Sequence, residues 1–431
     1  MFGLFGKKRF EPSVTPEDKD WVETNIAWLI ETFGMEHIRK QPFIMPTVDN
    51  FPYTDLNDPA QFQQLFEQLC KYWDLDPNSI EIKFFDDIIS KQWTTWVPQG
   101  EINEPLGQYS QVYTTDEKRF KIQLAKSNLA KPLLLIAIIS HELAHVKLLG
   151  WNYINQNDAD MEPFTDLSSI FFGFGVIVAN TVQTSDFLWL NRSGYLPNQV
   201  VSYANALICY ISGYDAKHYS SILNGNTSDL FKNDFAFLFS SNDTLLTKDK
   251  VEFLENSFLL RRKISEGFEK RDFESVIQVS DELGELNPKD VSVYNFKGYA
   301  LLQTKRYTEA IEQFTKAIDI HPYWDQPYNN RGYCKLQLDD LENAYFDLQH
   351  SFEMNPESSY SWRNLGAYFL KSDQPDKALE HFEHAEKIDP TTELINFYLG
   401  KTHLKIGNKE LAHQYLEKSK LKDEFNDSMF E

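Results

Sequence analysis

The chain has 431 residues, which is enough for two or three domains that each bury a hydrophobic core. Its formal net charge of −22 argues against a general nucleic-acid binder, because such proteins meet phosphates with clustered Lys and Arg. The three cysteines (Cys70, Cys209 and Cys334) lie far apart, which excludes a disulfide framework and a zinc ribbon and indicates a reducing compartment.

The first 15 residues (1–15) are predicted to be a flexible end. Lys7, Lys8 and Arg9 follow a very short apolar patch, whereas a secretory signal has its basic residues first and a longer apolar core. We therefore expect a cytoplasmic protein with no stable membrane insertion.

Hydrophobic patterns predict a domain of helices and a small sheet over residues 16–224. The predicted elements, in chain order, are helices at 16–39 and 59–74, a strand at 80–84, a hairpin of 111–113 with 119–124, and a helix at 198–212.

Between the hairpin and the last of these helices, a helix that starts near Pro132 carries the sequence His141-Glu142-Leu143-Ala144-His145. The segment is apolar nearly all round, which predicts a buried helix. Two imidazoles at i and i+4 share one helix face and can ligate one metal ion, with Glu142 beside them as a base. The alternative is a pair of hydrogen-bonded core histidines with a chance glutamate.

A third ligand is expected, because catalytic zinc usually has three protein ligands and one open position. Glu162 and Asp166 are four residues apart at the start of the next apolar helix and therefore share a face. The alternative is that both are capping acids near a helix N-terminus, with Asp166, Asp160 or Asp158 as substitute ligands.

With these residues the chain resembles the gluzincin class of metallopeptidases. The resemblance implies an α+β zincin-like domain, with a small sheet and buried active-site helices, that holds one Zn²⁺ per chain. It assigns zinc binding to His141, His145 and Glu162, the role of general base to Glu142, and a hydrogen bond to His141 to Asp166.

Gluzincins also use a Tyr or His to stabilise the oxyanion formed during peptide hydrolysis. The resemblance makes Tyr195 the first candidate for this catalytic role. Further candidates are Tyr203, Tyr210, Tyr214 and His218.

The second half of the chain repeats with a period of 34 residues, which is marked by Pro288, Pro322, Pro356 and Pro390. Small residues recur at fixed positions inside each repeat: Gly298, Gly332 and Gly366 in the first half, and Ala310, Ala344, Ala378 and Ala412 in the second. This pattern resembles the tetratricopeptide repeat and implies an all-α solenoid of helix pairs.

We predict about five repeats, preceded by a connecting segment at 225–256 and followed by a tail at 425–431. The predicted repeats are 257–290, 291–324, 325–358, 359–392 and 393–424.

Arrays of this kind usually bind protein or peptide segments on a concave face built mainly from the first helix of each repeat. Asn and Tyr on that face suit an extended peptide, since they can meet its backbone amides and stack on its side chains. The predicted groove residues are Asn295, Tyr299, Asn329, Tyr333 and Arg363. The alternative is that the groove packs against the chain's own catalytic domain.

Two functions fit the sequence. The chain is a zinc-dependent peptidase whose repeats recruit or gate protein substrates, or it is an interaction protein whose metal site is structural. Glu142 favours the first, because a structural site has no use for a carboxylate at that spacing. A third, weaker option is an autoprocessing sensor or defence effector that cleaves its own linker near residues 225–250.

Overall fold

The computed structural model describes residues 10–40, 42–86, 107–113, 118–150, 153–154, 158–181 and 196–419. The chain divides into two compact units, Met1–Phe258 and Leu259–Glu431. Helices dominate both units.

The first unit contains nine described helices and three described strands. The helices are α1 (Pro16–Phe33), α2 (Glu36–Lys40), α3 (Pro59–Tyr72), α4 (Pro132–Leu148), α5 (Met161–Ser169), α6 (Gly175–Thr181), α7 (Asn198–Ser212), α8 (Ala216–Ser221) and α9 (Gly225–Ser241). The strands are β1 (Ile80–Phe85), β2 (Gly107–Tyr113) and β3 (Lys118–Ala125). The helix predicted over 16–39 is interrupted at Gly34, whose φ of +76° ends α1.

The three strands form one sheet in the order β1-β3-β2. β2 pairs antiparallel with β3, which confirms the predicted hairpin, and β1 pairs parallel with β3. Phe120, Ile122 and Leu124 of the central strand β3 are buried, so this strand joins the core of the unit.

Helix α4 runs through the middle of the first unit and is buried along most of its length. It contacts α3, α5, α6 and β2, as the apolar sequence on all its faces predicts. Its N-terminus has Pro132 in the first turn, where a missing N–H is not needed.

Helix α5 continues through a π-helical turn, Ile170–Phe174, into α6. Gly173 in this turn has a φ of +98°, and its carbonyl accepts a hydrogen bond from the Ile44 N–H at 2.7 Å. The whole stretch Met161–Thr181 is long and apolar enough to cross a membrane, but 94% of its most apolar window is buried inside the structure.

Two predictions at the edges of the first unit are wrong. Residues 225–256 are not a connecting segment, because they form α9 and the start of the next helix, and Phe231 and Leu238 are fully buried. Residues 10–15 are held in place, since the Ser13 N–H and hydroxyl donate to the Asp234 carboxylate at 2.7 and 2.8 Å. Residues 1–9 lie outside the described residues.

Five consecutive helix pairs, the first of which begins before the boundary at Leu259, confirm the predicted helical-repeat array. The helices are α10 (Lys248–Glu269) with α11 (Phe273–Leu286), α12 (Val291–Gln303) with α13 (Tyr307–Ile320), α14 (Asp325–Gln337) with α15 (Leu341–Met354), α16 (Ser359–Lys371) with α17 (Pro375–Ile388), and α18 (Ile395–Lys405) with α19 (Lys409–Lys418). The first pair starts at Lys248 rather than at the predicted residue 257, and the predicted tail lies outside the described residues.

Each pair closes where a glycine of the first helix meets a large side chain of the second. A Cβ at Gly366 would lie 2.6 Å from the ring of Phe382, which is fully buried and has no room to move. The same relation holds between Gly298 and Phe314. The small residues of the sequence pattern therefore set the distance between the paired helices.

We predict that Gly366→Ala lowers the free energy of unfolding by about 1–3 kcal/mol, because the added methyl group overpacks the contact with Phe382. The matched control is Gly284→Ala in α11, where the nearest atom lies 3.4 Å from the added Cβ. That change should be neutral or stabilising by up to about 1 kcal/mol, since Ala favours a helix over Gly. Urea unfolding of the full chain measures both, and equal effects would contradict the packing argument.

Candidate metal centre and repeat surface

Helices α4 and α5 bring three ligand atoms to one point. The Nε2 atoms of His141 and His145 are 3.1 Å apart. The Glu162 Oε2 atom lies 3.0 Å from Nε2 of His141 and 3.5 Å from Nε2 of His145. Among the described residues, these three side chains form a group that could hold a metal ion.

The separations of these atoms fit a tetrahedral zinc site. Zn–N and Zn–O bonds of about 2.0–2.1 Å place neighbouring ligand atoms about 3.3 Å apart in a tetrahedron. The three observed separations scatter around that value (3.0, 3.1 and 3.5 Å). A donor set of two imidazoles and one carboxylate is also one that catalytic zinc uses.

Both imidazoles are oriented by acceptors on α5. The Asp166 Oδ1 atom lies 2.8 Å from Nδ1 of His141, and a carboxylate can only accept a hydrogen bond, so Nδ1 carries the proton. The Thr165 hydroxyl donates to the Met161 carbonyl at 2.8 Å and can accept from Nδ1 of His145 at 3.5 Å. With Nδ1 of each ring facing its acceptor, the Nε2 atoms of both rings face the same point.

Asp166 is itself held in place. Its Oδ2 atom accepts a hydrogen bond from the backbone N–H of Leu196 at 3.3 Å, and only 5% of the residue is exposed. The acceptor of His141 is therefore fixed from two sides.

The charges at the site are strongly coupled. Burial alone would lower the pKa of His141, but hydrogen bonds and charge from Asp166 and Glu162 outweigh it and raise that pKa to about 10. Burial lowers the pKa of His145, and the neighbouring His141 imidazolium adds to this effect. Burial opposes ionisation of Glu162, but hydrogen bonds from the two histidines hold its pKa well below the usual range. These hydrogen bonds therefore favour a protonated His141 beside an ionised Glu162.

The other residues predicted for the site lie at different distances from the ligand group or outside the described residues. Glu142 is 5% exposed and lies next to His141 on α4, whose pKa its charge helps to raise. Asp160 lies outside the ligand group and accepts a hydrogen bond from Nε1 of Trp21 at 3.3 Å. Asp158 is exposed and is also not in the group. Tyr195 lies outside the described residues.

Sequence reasoning missed Thr165 as the partner of His145. Residues Glu162, Thr165 and Asp166 follow the i, i+3, i+4 spacing of one helix face, so the signal was present. The spacing does not single out Thr165, because the hydroxyl of a mid-helix Thr usually bonds the carbonyl of the preceding turn. Thr165 also makes this bond.

The five predicted groove residues lie on first helices of the repeats, and three of them are almost fully buried. Asn295, Asn329 and Arg363 are only 8%, 6% and 6% exposed. The side-chain oxygens of the two asparagines accept hydrogen bonds from the amides of neighbouring first helices, at 3.4 and 3.0 Å. These hydrogen bonds join consecutive repeats, so the two asparagines do not form an open row of donors and acceptors.

Tyr299 and Tyr333 are partly buried on the same surface. The Tyr299 hydroxyl donates to Glu393 at 3.1 Å, and the Tyr333 and Tyr398 hydroxyls are 3.2 Å apart. Burial, and then the charge of Glu393, raises the pKa of Tyr299 to about 12. The inner surface is thus already engaged by residues of the last repeat.

Comparison with known families identifies part of the second unit. The family described as tetratricopeptide repeat matches residues 291–323 and 325–358, which correspond to the pairs α12–α13 and α14–α15. The chain therefore contains tetratricopeptide repeats, as the sequence pattern predicts. No curated protein matches the chain.

Several solved structures are similar to part of the chain. The MamA protein is 20% identical with a TM-score of 0.30, and the match covers 39% of this chain and 93% of MamA. A thermophilic TPR protein of Thermus thermophilus is 15% identical with a TM-score of 0.34, over 39% of this chain and 94% of its own. YrrB, described as a TPR protein with an unusual peptide-binding site, is 22% identical with a TM-score of 0.28, over 39% and 85%.

The raised pKa of His141 predicts how stability depends on pH when a chelator is present. Its folded-state pKa of about 10 lies above the ordinary value of 6.5, so the stabilisation is complete below pH 6.5 and is lost as pH rises toward 10. We expect the free energy of unfolding, measured with urea, to fall more steeply between pH 6.5 and 9 for the wild type than for Asp166→Asn. That substitution removes the charged acceptor of His141. If the free energy of unfolding depends on pH in the same way in both proteins, the raised pKa of His141 is contradicted.

Proposed function

We propose that the chain is a zinc-dependent peptidase whose tetratricopeptide repeats bind protein segments. The observation that carries the proposal is the convergence of His141, His145 and Glu162, with Glu142 beside them on the same turn of α4. The zincin-like interpretation of the first unit and one Zn²⁺ per chain belong to this proposal. The three-stranded sheet that contacts α4 supports it.

In this proposal the two imidazoles and the Glu162 carboxylate hold the ion. A bound zinc ion would supply Lewis-acid activation of water and of the scissile carbonyl. Glu142 would accept the proton of the attacking water and pass it to the leaving amine, as a general base and then a general acid. Asp166 and Thr165 would keep Nε2 of each histidine available as a ligand.

A second candidate is an interaction protein in which the repeats carry the function and the metal centre has a structural role. The family match to the repeats favours it, because that match supports protein partners and covers no residue of the metal centre. The two candidates differ in what Glu142 does, so they are separated by a change at that position.

The first prediction concerns metal content. Metal analysis of the purified full chain should find about one zinc per chain, and Glu162→Ala should lower zinc affinity because one of three ligands is lost. Asp166→Asn should lower it by about 10–100-fold through the orientation of His141. Asp160→Ala is the control and should retain zinc, because Asp160 stands outside the ligand group. If the Asp160 variant loses zinc and the Glu162 variant retains it, the assignment of Glu162 as a zinc ligand is contradicted.

The second prediction concerns activity. With a library of fluorogenic peptides, Glu142→Gln should keep zinc and lose hydrolysis by at least about 100-fold, since positioned proton transfer contributes about 10²–10⁴ in rate. Glu17→Gln, on the exposed first turn of α1, makes the same chemical change away from the site and should leave hydrolysis unchanged. Equal hydrolysis by wild type and Glu142→Gln would reject the peptidase and leave the structural metal centre standing.

A further inference from the structure

The turn that leads into the last repeat differs from the turns before it. Three first helices begin three residues after the proline of the repeat, at Val291, Asp325 and Ser359. Helix α18 begins five residues after Pro390, at Ile395. Glu393 and Leu394 therefore stand outside the helix, at positions that are helical in the other repeats.

Leu394 has a left-handed backbone, with φ +64° and ψ 5°. This conformation is sterically unfavourable for a non-glycine residue. The strain, together with the unwound turn, requires compensating contacts, since strained positions persist only where the surroundings hold them.

The contacts of Glu393 supply this compensation. The Tyr299 hydroxyl donates to its Oε2 atom at 3.1 Å, and Nη1 of Arg363 donates to its backbone carbonyl at 2.7 Å. Tyr299 and Glu393 are 94 residues apart, so the contact joins the second helix pair to the turn before the fifth. The hydroxyl of the neighbouring Thr392, which is 3% exposed, donates to the Ser359 hydroxyl at 2.7 Å.

The surface that receives Glu393 is a cradle of donors and aromatic rings. The Arg363 guanidinium lies 5.6 Å from the centre of the Tyr333 ring and 4.9 Å from that of Tyr360. Its Nε and Nη2 atoms donate to the Asn364 side chain at 3.0 and 2.8 Å, which fixes its direction. We call Tyr299, Tyr333, Tyr360 and Arg363 the inner cradle.

We propose that the segment 389–394 is an internal ligand of the inner cradle, and that a partner peptide binds there by replacing Glu393 with an acidic side chain of its own. The inference concerns the repeats alone and does not depend on the peptidase proposal.

The chemistry of the cradle selects an acidic segment. The two groups that meet Glu393, a tyrosine hydroxyl and a guanidinium, both donate hydrogen bonds to it, so the occupant must supply two acceptors. A carboxylate accepts more strongly than a neutral oxygen, which favours an acidic occupant. The chain has a net charge of −22, which gives an acidic partner no long-range attraction. Selection therefore comes from the local contacts.

The test uses the full chain and its own segment as the probe. The probe is a fluorescein-labelled peptide with the sequence of residues 387–395, Lys-Ile-Asp-Pro-Thr-Thr-Glu-Leu-Ile, and a second peptide has Gln in place of its Glu. The proteins are wild type, Glu393→Ala, Tyr299→Phe/Glu393→Ala, and Glu383→Ala as a charge-matched control on the exposed side of α17.

Fluorescence anisotropy should show that Glu393→Ala binds the probe at least about tenfold more tightly than wild type or Glu383→Ala, because the carboxylate that occupies the Tyr299 hydroxyl has been removed. The Gln peptide should bind that variant about tenfold more weakly, as expected when the acceptor of a hydrogen bond loses its charge. Tyr299→Phe/Glu393→Ala should no longer distinguish the two peptides, since its ring packing remains but the hydroxyl is gone.

Three results would each overturn the proposal. Wild type and Glu393→Ala bind the probe with equal affinity, neither protein binds it, or Glu393→Ala binds the two peptides equally. Hydrogen exchange provides a second readout that needs no peptide. In Tyr299→Phe, amides 392–395 should exchange at least about fivefold faster than in wild type, whereas amides of α13 should not change. Unchanged exchange at 392–395 would also count against the internal ligand.

Discussion

The first unit depends on the burial of five ionisable side chains where α4 meets α5. Two imidazoles and the carboxylates of Glu142, Glu162 and Asp166 meet there, and all but Glu162 are about 5% exposed. Because α4 is apolar on its other faces, these groups cannot turn to solvent without exposing the core. Uncompensated buried charge costs several kcal/mol, so the helices can pack this way only if a cation balances the carboxylates. A proton on His141 or a divalent ion provides that balance.

This constraint explains which parts of the site could be predicted from sequence. The helical period fixes which side chains share a face, so it pairs His141 with His145 and Glu162 with Asp166. The role of Glu162 as third ligand follows only from the resemblance to gluzincins. Contacts made by backbone atoms do not follow from it. The N–H of Leu196 on Asp166, and the turn at Gly173 after α5, depend on how distant segments pack. No local pattern marks either of them.

The repeats show the same division between periodic and non-periodic information. The 34-residue period and its small residues predict the helix pairs and their closest contacts, as the fit of Gly366 against Phe382 illustrates. The period also suggested an open row of polar groove residues. It could not show that one unwound turn sends Glu393 onto Tyr299, because a departure from the repeat carries no signal of where the chain goes. The start of α9 is a related case. Asn224 and Asn226 give it the composition of a connecting segment, and the buried Phe231 and Leu238 come later in the sequence.

The central claim is that the side chains of α4 and α5 form a zinc site with two imidazole ligands and one carboxylate ligand. X-ray absorption at the zinc edge of the full chain tests it most directly, because the spectrum reports the number, type and distance of the ligands. We expect about four nitrogen or oxygen ligands near 2.0 Å, with the outer-shell scattering of two imidazole rings. A sulfur ligand, an octahedral shell of water, or one imidazole ring or none would contradict it.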